Sequence, residues 1–269
     1  MKAACIQITS SPVIEDNLKT AERYIRQAAE QGASFIATPE NTCHIRFPAV
    51  QKCESAYTFD EHPAMPFFSA LAKELEITLL IGSIAVKTED KLWNRSLLFA
   101  PDGELMTTYD KIHLFDVDLP TGESHKESDV MKPGEKLGIS KISDDFTLGL
   151  SICYDLRFAY LYREMAQKGA NILCVPAAFT VPTGKAHWEV LLRARAIETG
   201  SYVIAPAQVG EHEGGRKTYG HSLIINPWGE VLADGGESEG IITADLDINK
   251  ITEARTSIPA LQHDREISL

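Results

Sequence analysis

Three ionisable residues in this chain come close upon apolar runs of strand type. Glu40 follows Phe35-Ile-Ala-Thr-Pro39, Lys111 follows the run ending Thr107-Thr-Tyr109, and Cys153 ends Thr147-Leu-Gly-Leu-Ser-Ile152. Parallel strands gather their carboxyl ends at one rim, where open α/β folds bind ligands. The residues after Cys153, from Leu156 to Lys168, carry apolar side chains at helical spacing. The thiol is therefore expected at a strand-to-helix junction, where a helix N-terminus favours a thiolate. A cysteine, a carboxylate and an ammonium placed together can cleave an amide. Sulfur attacks the carbonyl carbon, and the carboxylate takes the thiol proton and returns it to departing ammonia. Lysine and the backbone N–H of Tyr154 can hold the oxyanion, one such donor contributing about 2.7–4 kcal/mol. Acid–base help adds on the order of 10²–10⁴-fold. Singly, each residue has a structural reading: a core cysteine, a turn carboxylate, a surface amine. The joint placement at three strand ends carries the inference.

The elements that must hold these residues alternate between strand and helix. Apolar spacing predicts a strand over 2–8, a helix over 15–31 capped by Gly32, and a short buried strand over 35–38. A helix follows over 64–75, a strand over 79–86, and two strands over 92–109 around Pro101-Asp-Gly. Two passages recur. Gln31-Gly-Ala-Ser-Phe-Ile-Ala-Thr-Pro39 has a counterpart in Lys168-Gly-Ala-Asn-Ile-Leu-Cys-Val-Pro176, and Ser96-Leu-Leu-Phe-Ala-Pro-Asp-Gly-Glu-Leu105 in Ser222-Leu-Ile-Ile-Asn-Pro-Trp-Gly-Glu-Val231. Self-similarity in the same order implies two related α/β halves. The expected architecture is a four-layer α-β-β-α sandwich forming a single domain over residues 1–269. Residues 110–145, rich in Pro, Gly and charge, form a long connection of the kind that commonly carries function.

Composition narrows the function classes. The net charge is −12 with no Lys/Arg cluster, which argues against nucleic-acid binding. No apolar run approaches the roughly 18 residues that span a bilayer, and Met1-Lys-Ala-Ala-Cys-Ile-Gln reads as a first strand rather than a signal peptide. Five cysteines, Cys5, Cys43, Cys53, Cys153 and Cys174, include no CxxC pair, so neither a disulfide framework nor a zinc site is expected. Reduced thiols in a cytoplasmic protein fit this pattern. Cys5 and Cys174 read as core residues. Asp155 and Arg157 are expected to pair and hold the turn around the nucleophile. His113 reads as a hydrogen-bonding scaffold, and Tyr154, Phe179, Thr180 and Thr183 as pocket walls.

Pro39-Glu40-Asn41, Tyr109-Asp-Lys111-Ile-His113-Leu-Phe and Cys153-Tyr154-Asp155-Leu-Arg157-Phe158 resemble, in order, the glutamate, lysine and nucleophile motifs of the nitrilase superfamily of carbon–nitrogen hydrolases. The resemblance covers nearly the whole chain. It implies a cofactor-free Glu-Lys-Cys triad of Glu40, Lys111 and Cys153 acting through a thioester, with Glu127 as a supporting carboxylate and a homodimer as the assembly. Thr183-Gly-Lys-Ala-His187-Trp188, with Ala207-Gln208-Val-Gly210 and Tyr219-Gly220-His221-Ser222, is similar to the branch of deaminated glutathione amidase and ω-amidase. The expected substrate is a small carboxylate-bearing amide. The rivals are a 2-oxo acid amide, a nitrile, or a binding protein that kept the fold. The loops at 41–62, 110–146 and 177–186 are expected to set selectivity. Ala159-Tyr160 departs from the Pro-Glu usual in relatives.

Overall fold

A computed structural model describes residues 1–46, 50–119, 122 and 124–266. The first half builds β1 (Lys2–Gln7), α1 (Ile14–Glu30), β2 (Phe35–Ala37), a short α2 (Val50–Glu54), α3 (Ala64–Leu75), β3 (Thr78–Lys87), β4 (Leu92–Phe99) and β5 (Leu105–Asp110). The connection carries a small hairpin, β6 (Asp116–Asp118) with β7 (Ser124–Lys126). The second half follows with β8 (Gly138–Lys141), β9 (Thr147–Leu150), α4 (Ala159–Gln167), β10 (Ile172–Cys174), α5 (Val181–Thr199) and β11 (Tyr202–Ala205). After the hairpin β12 (Val209–Glu211) and β13 (Lys217–Tyr219) come β14 (Leu223–Ile225), β15 (Val231–Asp234), β16 (Gly240–Asp245) and α6 (Ile248–Ser257).

The sequence repeat becomes a structural one. One six-stranded sheet has the order β16-β1-β2-β3-β4-β5, the other β15-β14-β11-β10-β9-β8. In each, the parallel core (β1-β2-β3 and β9-β10-β11) continues into an antiparallel pair. The recurring Pro-x-Gly passages turn β4 into β5 and β14 into β15. β8 belongs to the second sheet, so the 110–145 connection is shorter as a loop than its composition suggested. Residues 47–49 and 120, 121 and 123 of the expected selectivity loops lie outside the described residues.

Strand alternation creates the layers. Ala3, Cys5, Phe35, Ala37 and Leu80 join the core that also holds Leu148, Leu150, Ile172 and Cys174 of the second sheet. Their alternating neighbours Ala4, Ile6, Ile36, Leu79 and Ile81 pack with Leu18, Ala21 and Ile25 of α1 and Phe68 and Leu71 of α3. Strands covered on both faces read as continuous apolar runs, which is why the short β2 and β10 were visible in sequence. Burial of each large aliphatic side chain contributes on the order of 1.5–3 kcal/mol. Leu161, Tyr162 and Met165 of α4, with Trp188 and Leu192 of α5, close the outer face of the second sheet. Cys5 and Cys174 are buried in the core between the sheets.

Candidate active site

The three candidate residues meet where strand ends converge. Glu40 follows β2 through Thr38 and Pro39. The chain then turns at Asn41, whose left-handed backbone (φ 59) is held by its N–H donating to Ser83 Oγ at 2.8 Å. The second half pins this turn from the other side, for Gln208 Nε2 donates to the Glu40 carbonyl at 3.0 Å and to Ser10 Oγ at 2.8 Å. Space here is so limited that a Cβ on Gly82 would lie 2.1 Å from the Thr38 carbonyl oxygen and 2.6 Å from Pro176 Cβ. Lys111 comes directly after β5, its N–H donating to the Asn94 carbonyl at 2.9 Å.

Cys153 also adopts a left-handed backbone (φ 50), and its N–H donates to the Pro176 carbonyl at 2.9 Å. For a non-glycine residue this conformation costs on the order of 1–3 kcal/mol and persists only where the surroundings enforce it. Asp155, wholly buried, supplies that enforcement. Its carboxylate accepts from Ile152 N–H (2.9 Å), Tyr109 OH (2.8 Å) and His113 N–H (2.9 Å), and faces His113 Nδ1 at 2.7 Å.

This corrects the expected Asp155–Arg157 pair. Arg157 instead approaches His187 Nδ1 at 3.3 Å and lies over the rings of Tyr154 and Phe179. His113 is the scaffold the sequence suggested, stacked on Phe158 with its Nε2 2.6 Å from the hydroxyl of Tyr160, the residue that departs from relatives. A second correction concerns the helix. Residues Cys153–Arg157 form a 3₁₀ turn, and α4 starts only at Ala159, so no long helix dipole acts on the thiol.

The ammonium of Lys111 lies between two carboxylates, 3.0 Å from Glu40 Oε1 and 2.8 and 3.1 Å from the oxygens of Glu127. Glu127 is itself anchored by the N–H of Phe115 at 2.7 Å. Asn94 Nδ2 donates to Glu40 Oε1 at 2.9 Å and to Glu127 Oε1 at 3.3 Å. Glu40 and Lys111 are 4% and 2% exposed.

Burial sets the electrostatics. It would push the Glu40 carboxyl up, but the Lys111 charge and hydrogen bonds outweigh it and hold the group below the usual carboxylate range. Burial pulls Lys111 down, yet Glu127 and Glu40 keep it protonated, well above its ordinary value. Burial, then the Glu40 charge, pushes the Cys153 thiol well up against the opposing pull of Lys111. Burial and the Glu40 charge thus oppose the thiolate that a helix N-terminus would favour, and leave the thiol beside a carboxylate able to take its proton.

These groups open into one cavity of about 310 Å³. Tyr154, Phe179, Thr180 and Thr183 all line it, with Cys153 and Glu127. Asn94, Lys52 and Arg46 line it as well and were not singled out from sequence. Asn94 had a signal, a polar residue inside the apolar strand Leu92-Trp-Asn-Arg-Ser-Leu-Leu-Phe99. Lys52 and Arg46 had none, being charges in a polar loop. Among the described residues no group of three or more His, Cys, Asp or Glu side chains could hold a metal ion, and no helix is long and apolar enough to cross a membrane.

The sequence profile of carbon–nitrogen hydrolases matches residues 2–256. The chain is 43% identical over 265 residues to the deaminated glutathione amidase of Synechocystis sp., covering 97% of each chain. It is 39% identical over 267 residues to the omega-amidase NIT2 of Homo sapiens, covering 98% of this chain and 95% of that one. Its fold superposes on the crystal structure of the C. elegans NitFhit protein with a TM-score of 0.91 at 35% identity, covering 98% of this chain and 65% of that one.

Proposed function

The chain belongs to the carbon–nitrogen hydrolase family, and from that premise we propose that it cleaves the terminal amide of a small carboxylate-bearing compound through a thioester on Cys153. The single observation that carries this reading is the buried cluster in which Lys111 bridges Glu40 and Glu127 beside the Cys153 thiol. Glu40 takes the Cys153 proton as sulfur attacks the amide carbon. The tetrahedral oxyanion receives the Lys111 ammonium and the Tyr154 N–H. Collapse breaks the C–N bond, and the proton on Glu40 leaves with ammonia. Water then gives a proton to Glu40 as it attacks the thioester, the acid departs, and the proton returns to sulfur. Glu127 holds Lys111 at the oxyanion position throughout. No step needs a cofactor.

The carbon–nitrogen bond reading fits the similarity to deaminated glutathione amidase and to ω-amidase. Five free cysteines suit a reducing, cytoplasmic setting. The assembly we assign is a homodimer through α4, α5 and the segment after α6, where Tyr160, Val190, Ile197 and Ile258 are exposed. The test of function compares kcat/KM for deaminated glutathione and 2-oxoglutaramate, with ammonia release as readout. The branch assignment expects the first to be preferred. Hydrolysis of neither, with acid formed from a nitrile instead, would overturn it.

A further inference from the structure

The mechanism leaves unused a buried cation that lines the active-site cavity. Lys52, on α2, is 6% exposed and lines the active-site cavity, and its ammonium donates to Asn41 Oδ1, the residue after Glu40. Among the described residues no carboxylate pairs with it. Arg46 lines the same cavity, and its Nε is buried without a hydrogen-bond partner. Both act on one residue: burial first, then the charges of Lys52 and Arg46, hold His44 down to about 4.

The surrounding charge is unusual for this molecule. Six residues lining the cavity are Lys or Arg and two are Glu, a local excess of positive charge in a chain of net charge −12. Lys111 is neutralised by Glu40 and Glu127, so the excess lies on the remaining walls. A buried cation without an anionic partner is costly, and such costs are retained where a ligand removes them.

We propose that Lys52, with Arg46, forms a carboxylate-binding subsite that selects amides bearing an anionic far end. The proposal rests on the amidase reading and adds to it which side chains recognise the substrate's charge. Three oxygen-seeking N–H bonds are available on the ammonium, and one is taken by Asn41. A carboxylate can occupy the others while Arg46 contributes its own N–H. Burial holds Lys52 at about 8, with Glu40 and Glu127 pulling it up and Lys111 and Arg216 pushing it down. The subsite is therefore charged at neutral pH and loses its proton above about pH 8.

The experiment measures kcat and KM for glutaramate and for the uncharged pentanamide in wild type, Lys52→Met and Lys52→Arg. The wild-type preference for glutaramate is expected to fall by about 10- to 100-fold in Lys52→Met, mainly through KM, because a hydrogen bond to a charged group is lost. Lys52→Arg retains most of it. Wild-type KM for glutaramate should rise above about pH 8, a rise absent from Lys52→Met. A Lys52→Met variant whose preference matches wild type, or which loses both amides equally while folded, overturns the proposal. If Lys52→Met does not fold, Arg46→Gln reads the same ratio. Should the wild type release ammonia from neither amide, the amidase reading fails on its own. Calorimetry with glutarate and Cys153→Ala then decides the subsite: binding weakened by adding Lys52→Met supports it, and unaltered or absent binding refutes it.

Discussion

Replacing Asn94 by leucine tests whether one side-chain amide holds the two active-site carboxylates in place. Its Nδ2 bridges Glu40 and Glu127 at 2.9 and 3.3 Å, so like charges share a donor beside the Lys111 ammonium. Leucine keeps the volume and removes the donor. The backbone bond from Lys111 N–H to the Asn94 carbonyl, 2.9 Å, survives the change and keeps the lysine strand end in register. A hydrogen bond to a charged group contributes about 1.5–3 kcal/mol, so the shorter bond alone predicts a loss of kcat/KM of roughly 10- to 100-fold. The longer bond adds less than its full value, because the two share one amide. Direction in pH follows from the same contact. Donation from Asn94 helps hold the Glu40 carboxyl below its ordinary range, so its removal raises the group. The acid limb of the kcat/KM profile should move to higher pH, since Glu40 must be ionised to accept the thiol proton. A profile that superimposes on the wild type in height and in acid limb would refute the reasoning.

Two further substitutions probe the frame and the assembly. Gly82→Ala puts a methyl group 2.1 Å from the Thr38 carbonyl oxygen, so the strand end carrying Glu40 must shift. The overpacking should cost about 1–3 kcal/mol, read as a lowered Tm together with reduced kcat, and an unchanged melting curve would show that the approach is not tight. Val190→Asp places a carboxylate on the exposed apolar face of α5, where Val190 is 69% exposed. On the proposed dimer, light scattering should report a dimer for the wild type and half that mass for the variant; an unaltered dimer would move the interface elsewhere, and a monomeric wild type would refute the assembly.

Much of the fold was legible because its signals are local. Continuous apolar runs marked the doubly covered β2 and β10, and the repeated Pro-x-Gly turns exposed the two halves before any pairing was known. The three candidate residues were legible for the same reason, each standing near the end of such a run. What escaped was set by contacts across long sequence distances. Asp155 reads as a partner for Arg157 two residues away, yet it is claimed by Tyr109 and His113 from the preceding half. The thiol is pushed up by burial and by Glu40, 113 positions earlier, and pulled down by Lys111, none of which the residues around Cys153 announce. Ser and Ile at 151–152 continue the apolar run but leave β9 at Leu150, because the chain must bend to present Cys153. Lys52 and Arg46 carry no periodic signal, so only the folded cavity distinguishes them from solvated loop charges.

The most direct test of the account is intact-protein mass spectrometry on samples quenched during turnover of an amide, with wild type, Glu40→Gln and Cys153→Ala side by side. The account predicts an adduct of the substrate mass less ammonia that maps to Cys153. It should form more slowly in Glu40→Gln, which cannot take the thiol proton, persist longer there once formed because the hydrolytic water is not activated, and be absent from Cys153→Ala. Ammonia release by Cys153→Ala at the wild-type rate, or an adduct that maps to another residue, would contradict it.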